Sequence, residues 1–130
     1  MQVIRHHVRN QRGSDLSVLQ LRALAFLDRN PGAPLSAVAE HVGLTLPSMS
    51  TQVSNLVEHD LILRTTSVTD RRYLALQLTE RGAAVLATVR EQARSSLAAS
   101  VAHLTENERA QVMDALVLLR SILTDRQAEP

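Results

Sequence analysis

Small polar side chains and arginines, rather than nucleophiles or metal ligands, carry the recognisable chemistry of this chain. Pro47-Ser48-Met49-Ser50-Thr51-Gln52 opens a short amphipathic stretch that ends at His59, and Thr69-Asp70-Arg71-Arg72 follows it. Gln52 and Asn55 each pair a donor with an acceptor, as adenine's major-groove edge requires, while the hydroxyls of Ser48, Ser50, Thr51 and Ser54 suit phosphates or either base. Asp70 stands two residues before Arg72, close enough for a charge-assisted bond that pre-orients the guanidinium. Arg64, at the base of the same ribbon, suits a phosphate. A polar helix face beside a basic hairpin tip is a device for reading duplex DNA, one element in the major groove and the other on the flanking backbone or minor groove. The residues expected to meet DNA are Ser36, Pro47, Ser48, Ser50, Thr51, Gln52, Ser54, Asn55, Arg64, Asp70, Arg71 and Arg72. The plainer alternatives are a merely solvated helix face and a tip charged only for solubility. Position immediately after a helix and turn favours contact for the helix face, and the Asp70 spacing to Arg72 favours it for the tip.

Other chemistries find little support. There is no Cys, which removes disulfides, thiolate metal sites and thiol nucleophiles. His6, His7, His41, His59 and His103 lack paired ligand spacing, so no metal is expected. No Gly-rich phosphate loop or Ser-His-Asp set with a supporting motif is present, so neither an enzyme nor a cofactor is expected. One Phe, one Tyr and no Trp leave nothing to stack exposed bases on, which disfavours single-stranded targets. No apolar run reaches membrane-spanning length, and Met1-Gln2-Val3-Ile4-Arg5-His6-His7 has no signal-peptide core. A soluble, cytoplasmic protein without membrane partners is expected. The net charge of +1 says little, but every basic residue is Arg, and Arg5, Arg9 and Arg12 gather at the start while Arg64, Arg71 and Arg72 mark the ribbon. The last thirty residues lean acidic, through Glu106, Glu108, Asp114, Asp125 and Glu129. Basic groups collected on one surface suit phosphate contact on one face.

The elements that must position these residues can be read along the 130-residue chain. A short basic lead over 2–12 is broken at Gly13-Ser14. Ser17 and Gln20 form a capping box for a helix with Leu21, Leu24, Ala25 and Leu27 inward, stopped by Asn30-Pro31-Gly32. Ser36 opens a second helix, with Val38, Ala39 and Val42 inward and Gly43 as terminator. A third runs from Pro47 to His59 with Met49, Val53, Leu56 and Val57 on one stripe. In the return strand Leu74, Leu76 and Leu78 share one face, and Tyr73, Ala75 and Gln77 the other. A long helix from about Thr79 to Ala102 places Val85, Leu86, Val89, Ala93 and Leu97 inward. A second capping box, Thr105 to Glu108, starts the last helix, which carries Val112, Leu116, Leu119, Ile122 and Leu123. The pattern is mainly α: a winged helix-turn-helix with a small β-hairpin wing, within one domain over 1–130. Residues 16–82 form the DNA-binding lobe, and 1–12 with 83–126 form a helical dimerisation lobe. Those apolar faces exceed what the small core can cover, so a second copy of the chain is the expected partner.

These residues resemble the MarR family of bacterial transcriptional regulators over nearly the whole chain. The resemblance is carried by Leu16-Ser17 with Gln20, Leu35-Ser36 leading to Ala39-Glu40 and Gly43-Leu44, Ser50, and above all Asp70-x-Arg72 followed by Leu78-Thr79-x-x-Gly82. It implies a homodimer on a roughly palindromic operator, most often a repressor, released when a small phenolic or anionic ligand enters a cleft between the lobes. It also implies that Arg72 reaches the minor groove with Asp70 in support, and that His6, His7 and Arg9 border the ligand cleft or are simply solvated. Three departures stand out. About a dozen residues precede Gly13, short for the family's first helix, so either the dimer leans on the last two helices or the start is truncated. The stretch from Pro47 to His59 has no Arg or Lys, and Asp60 replaces a common helix-ending glycine. The uncharged helix leaves an alternative open: a dimeric winged-helix protein-interaction module that does not bind DNA specifically.

Overall fold

The computed structural model describes residues 16–67, 69–70 and 72–127. His6, His7, Arg9 and Arg71, together with the basic lead, lie outside the described residues. The chain falls into two compact units, one ending at Ala93 and the other starting at Arg94.

In the first unit, helix α1 (Val18–Arg29) starts at the capping box read from sequence: the Gln20 N–H donates to Ser17 Oγ and the Ser17 N–H to Gln20 Oε1, both at 3.1 Å. These bonds satisfy two amides that the helix cannot pair internally. Helix α2 (Leu35–Val42) opens one residue earlier than Ser36 predicts, because Pro34 is its cap and makes no side-chain capping bond. Its end is the predicted one, Gly43 in the left-handed region at φ 83°. Helix α3 spans Leu46–Glu58 rather than Pro47–His59. Thr45 caps it by accepting from the Ser48 N–H, which draws Leu46 into the first turn and leaves His59 as the C-cap.

Strands β1 (Ile62–Thr66) and β2 (Leu74–Leu78) pair antiparallel, Ile62 opposite Leu78 and Thr66 opposite Leu74. Ala33 adds a short third edge: Leu76 N–H donates to the Ala33 carbonyl at 3.0 Å, and Gly32 N–H to the Leu76 carbonyl at 2.8 Å. The Asn30-Pro31-Gly32 stop signal therefore also delivers chain to the sheet. Only the inner end of β2 meets the core. Leu76 is buried and Leu78 half-buried, but Leu74 is exposed and Tyr73 precedes the strand, since the ribbon projects past the layer that covers its base.

Leu24 and Leu27 of α1, Val38 of α2, Met49, Val53 and Leu56 of α3, and Ile62 and Leu76 of the ribbon are at most 2% exposed. Ala23 is fully buried as well, although the sequence periodicity passed over it. The larger of these side chains each contribute about 1.5–3 kcal/mol by leaving water. The core is aliphatic, as the scarcity of aromatics requires.

Helix α4 (Glu80–Val101) leaves this core early: Leu86 is buried, Val85 and Val89 are half-buried, and the predicted inward positions Ala93 and Leu97 are exposed. In the second unit, helix α5 (Glu106–Gln127) begins at the predicted capping box, with the Glu108 N–H on Thr105 Oγ1 and the Thr105 N–H on Glu108 Oε1. The Thr105 backbone N–H, with the Thr105 side chain adding to it, holds the Glu108 carboxyl below its usual range. Val112, Leu116, Leu119, Ile122 and Leu123 are all exposed in the single chain. So are Met113, Val117 and Leu118, which lie off the predicted stripe. The architecture is the expected one, mainly helical, with a winged helix-turn-helix and long helices after it.

Candidate nucleic-acid interface

Helix α3 buries Met49, Val53 and Leu56 and turns Ser48, Ser50, Thr51, Ser54 and Asn55 to solvent. Not all of these polar groups are free. Thr51 Oγ1 donates to the Pro47 carbonyl one turn back at 3.2 Å, and Ser48 Oγ accepts from the Thr45 hydroxyl at 3.0 Å. Ser54 Oγ accepts from Arg64 Nη2 at 2.7 Å, so Arg64 is more than a base-of-ribbon cation: it ties β1 to the outer face of α3. Gln52 is half-buried, and its Oε1 accepts from Gln20 Nε2 at 3.0 Å. That bond turns the Gln52 oxygen toward α1 and leaves it one further lone pair. Ser36 is exposed on α2, and Pro47 occupies the first turn of α3.

At the ribbon tip, Asp70 holds Arg72 at both ends of the guanidinium fork, with Nε on Oδ1 at 3.0 Å and Nη2 on Oδ2 at 2.9 Å. The Arg72 backbone N–H adds a third bond to Oδ1. The Arg72 side chain pulls the Asp70 carboxyl below its ordinary range, with the backbone bond adding to it, and the carboxylate in turn raises Arg72. The Arg72 side chain remains 83% exposed despite this grip. A cation that is oriented yet open to solvent is what a groove-inserting finger needs. Its Cζ stands 6.0 Å from the centre of the Tyr73 ring, the outer limit for a cation–π contact.

The second half of the signature does a different task. Thr79 Oγ1 donates to the Asp60 carbonyl at 2.5 Å and accepts from the Gly82 N–H at 2.9 Å, and Thr79 N–H reaches the Leu61 carbonyl. A Cβ on Gly82 would collide with the Leu61 backbone carbonyl. Thr79 and Gly82 thus clamp the start of α4 onto the turn that follows α3, while Asp70 and Arg72 shape the tip.

Sequence reasoning missed Gln20 as a partner of Gln52, because its capping-box role already accounted for it. It also missed Leu46, 52% exposed in the first turn of α3, where an apolar side chain suits a thymine methyl. His41 stacks on Phe26 at 4.6 Å between ring centres. Partial burial, then the charges of Arg22 and Arg29, lower its pKa. His59 Nδ1 lies 2.7 Å from the Asn55 carbonyl at the end of α3. Among the described residues no group of three His, Asp or Glu side chains is placed to hold a metal, and no helix is long and apolar enough to cross a membrane.

Residues 14–72 match the MarR family profile. A Bacillus subtilis (strain 168) protein, the uncharacterised HTH-type transcriptional regulator YfiV, is 26% identical over 115 residues, 88% of this chain and 72% of that protein. Among solved structures, RV1404 from Mycobacterium tuberculosis is 29% identical with a TM-score of 0.83, over 99% of this chain and 85% of that one. The transcriptional repressor CouR, solved on a 23-mer DNA duplex, is 25% identical with a TM-score of 0.68, over 92% of this chain and 82% of that one.

Proposed function

We propose that this chain, which belongs to the MarR family, is a homodimeric transcriptional regulator that binds duplex DNA sequence-specifically and represses until a small phenolic or anionic ligand releases it. It acts by binding rather than catalysis, in the cytoplasm. The observation that carries this reading is the Asp70–Arg72 clasp: an exposed guanidinium fixed by a bidentate carboxylate, next to a helix that turns hydroxyls and amides outward. An interaction module has no need of a pre-oriented basic finger. CouR, a relative of the same fold bound to a duplex, supports the assignment.

In the dimer the two copies of α3 enter successive major grooves about 34 Å apart on a roughly palindromic site, and the wings grip the flanks. Ser36, Pro47, Ser48, Ser50, Thr51, Gln52, Ser54 and Asn55 face base edges and phosphates, with Arg64 and the tip arginines on the backbone and minor groove. A ligand releases DNA only by binding one spacing of the two helices better than the other, since equal affinity for both shifts nothing.

The test is a shift assay of the purified protein on the duplex upstream of its own gene, beside an unrelated duplex, at two salt concentrations. Selective binding that weakens steeply with salt is expected. Thr51→Ala combined with Asn55→Ala is expected to abolish the selectivity and leave the dimer folded. Absence of binding at low salt would overturn the reading in favour of a protein-interaction module and make the uncharged α3 its leading clue.

A further inference from the structure

Building on the DNA-binding reading above, we propose that Ser54 and Arg64 form one site for a single backbone phosphate, with Ser54 positioning the arginine and completing the site instead of reading a base. The two residues belong to different elements, ten positions apart, and Arg64 Nη2 donates to Ser54 Oγ at 2.7 Å on the exposed surface. A guanidinium can only donate, so the Ser54 oxygen is the acceptor and its own proton stays available. Among the described residues that proton meets no acceptor. Arg64 differs in its surroundings from Arg72 and Arg90. Those two lie against carboxylates, Asp70 at 2.9 Å and Asp28 at 2.8 Å, which balance their charge. Arg64 is held by a neutral hydroxyl, and no carboxylate among the described residues forms an ion pair with it, not even Glu58, one turn beyond Ser54 on α3. An oriented cation with its charge unspent, beside a free hydroxyl proton, matches a phosphodiester, which brings one negative charge and only acceptor oxygens.

Position decides which phosphate. With α3 in the major groove and the ribbon on the adjoining minor groove, the part of the duplex that lies between the two elements is one sugar-phosphate strand. A side-chain pair that bridges α3 and β1 therefore lies over that strand and not over base edges. Contacts of this kind fix register and orientation without carrying sequence information. The bond thus sets Ser54 apart from the other outward hydroxyls of α3, a distinction that no inspection of the helix by itself contains.

Neutralising one phosphate at a time tests this. A duplex enriched by the parent from a randomised library is made with one uncharged methylphosphonate linkage per half-site, at successive positions. Each duplex is titrated with the full-length parent, Arg64→Gln, Ser54→Ala and Ser54→Thr. The parent is expected to lose affinity on the order of tenfold when the linkage between the two grooves is neutralised. Arg64→Gln and Ser54→Ala should both bind the unmodified duplex more weakly. Both should also lose sensitivity at that same linkage, Arg64→Gln fully and Ser54→Ala in part, and keep the parent's response at the others. Ser54→Thr retains the hydroxyl and should behave as the parent does. Salt separates the two roles. Arg64→Gln is expected to flatten the dependence of log affinity on log salt by roughly two for a dimer, whereas Ser54→Ala keeps the charge and should keep the slope. A hydroxyl that only tied β1 to α3 would make Ser54→Ala weaken binding with its sensitivity unchanged at every linkage, and that result overturns the proposal. So do lost sensitivities that fall at different linkages in Arg64→Gln and Ser54→Ala, and a parent indifferent to methylphosphonate between the grooves. If the parent enriches no duplex and binds none at low salt, the DNA-reading assignment falls and this site with it, an outcome distinct from those.

Discussion

Arg72 donates three hydrogen bonds to one carboxylate, that of Asp70, and still leaves most of its side chain in water. An isolated surface pair of this kind adds little to stability, because solvent screens the charges and ordering two side chains costs entropy. In the function proposed above its value lies in binding, where the arginine would not have to be ordered again on meeting DNA. Replacing Arg72 with Ala is expected to weaken operator binding on the order of tenfold to a hundredfold. Asp70→Ala keeps the cation and removes the brace, so it should cost more on the operator than on unrelated duplex. Fluorescence anisotropy on both duplexes at one salt concentration separates the two effects. Equal losses on the operator and the unrelated duplex for Asp70→Ala would show that the brace gives charge placement and no selectivity. The Asp70 carboxyl sits below its ordinary range, and a depressed carboxyl keeps its contribution above the unfolded value and loses it only as pH falls through the folded one. The finger is therefore braced at any pH near neutrality.

The turn between α3 and β1 shows how one element boundary holds the fold to its site. Leu61 N–H reaches the Leu56 carbonyl and Asp60 N–H the Val57 carbonyl, the two bonds of a Schellman motif, with Leu56 and Leu61 buried against the core. Asp60 occupies the left-handed position at φ 58°, where glycine is at ease and other residues are strained. The departure from glycine noticed in the sequence therefore has a conformational cost. Asp60→Gly is expected to stabilise the protein by about 0.5–1 kcal/mol. Gly82→Ala, at the other side of the same clamp, is expected to destabilise it by roughly 1–3 kcal/mol, because its methyl would press on the Leu61 carbonyl, a backbone atom that cannot swing aside. Urea unfolding midpoints measure both. A neutral Gly82→Ala would mean that α4 does not rest on the turn in solution.

At the scale of the molecule, helix α5 exposes apolar side chains nearly all round, Met113, Val117 and Leu118 as well as Leu116, Leu119 and Ile122. A helix of that kind belongs in an interior, and a dimer supplies one. Leu119→Glu is expected to shift the protein to a monomer in sedimentation velocity and to abolish operator binding where the parent saturates, since one recognition helix cannot span both half-sites. A parent that sediments as a monomer would remove the dimer from the mechanism. Sequence alone determined what depends on neighbours in the chain. Both capping boxes, the Gly43 stop, the buried stripe Met49, Val53 and Leu56, and the Asp70–Arg72 pair are set by spacings of two to seven residues, which helix and turn geometry fix in advance. Where α4 leaves the core, that Leu74 hangs free, that Ala33 edges the sheet, and that Arg64 holds Ser54 were settled only by packing. The Gln20–Gln52 bond is the clearest case. Thirty-two positions separate the two residues, each has a sufficient local reason to be where it is, and only the docking of α1 against α3 makes one amide choose the other's direction.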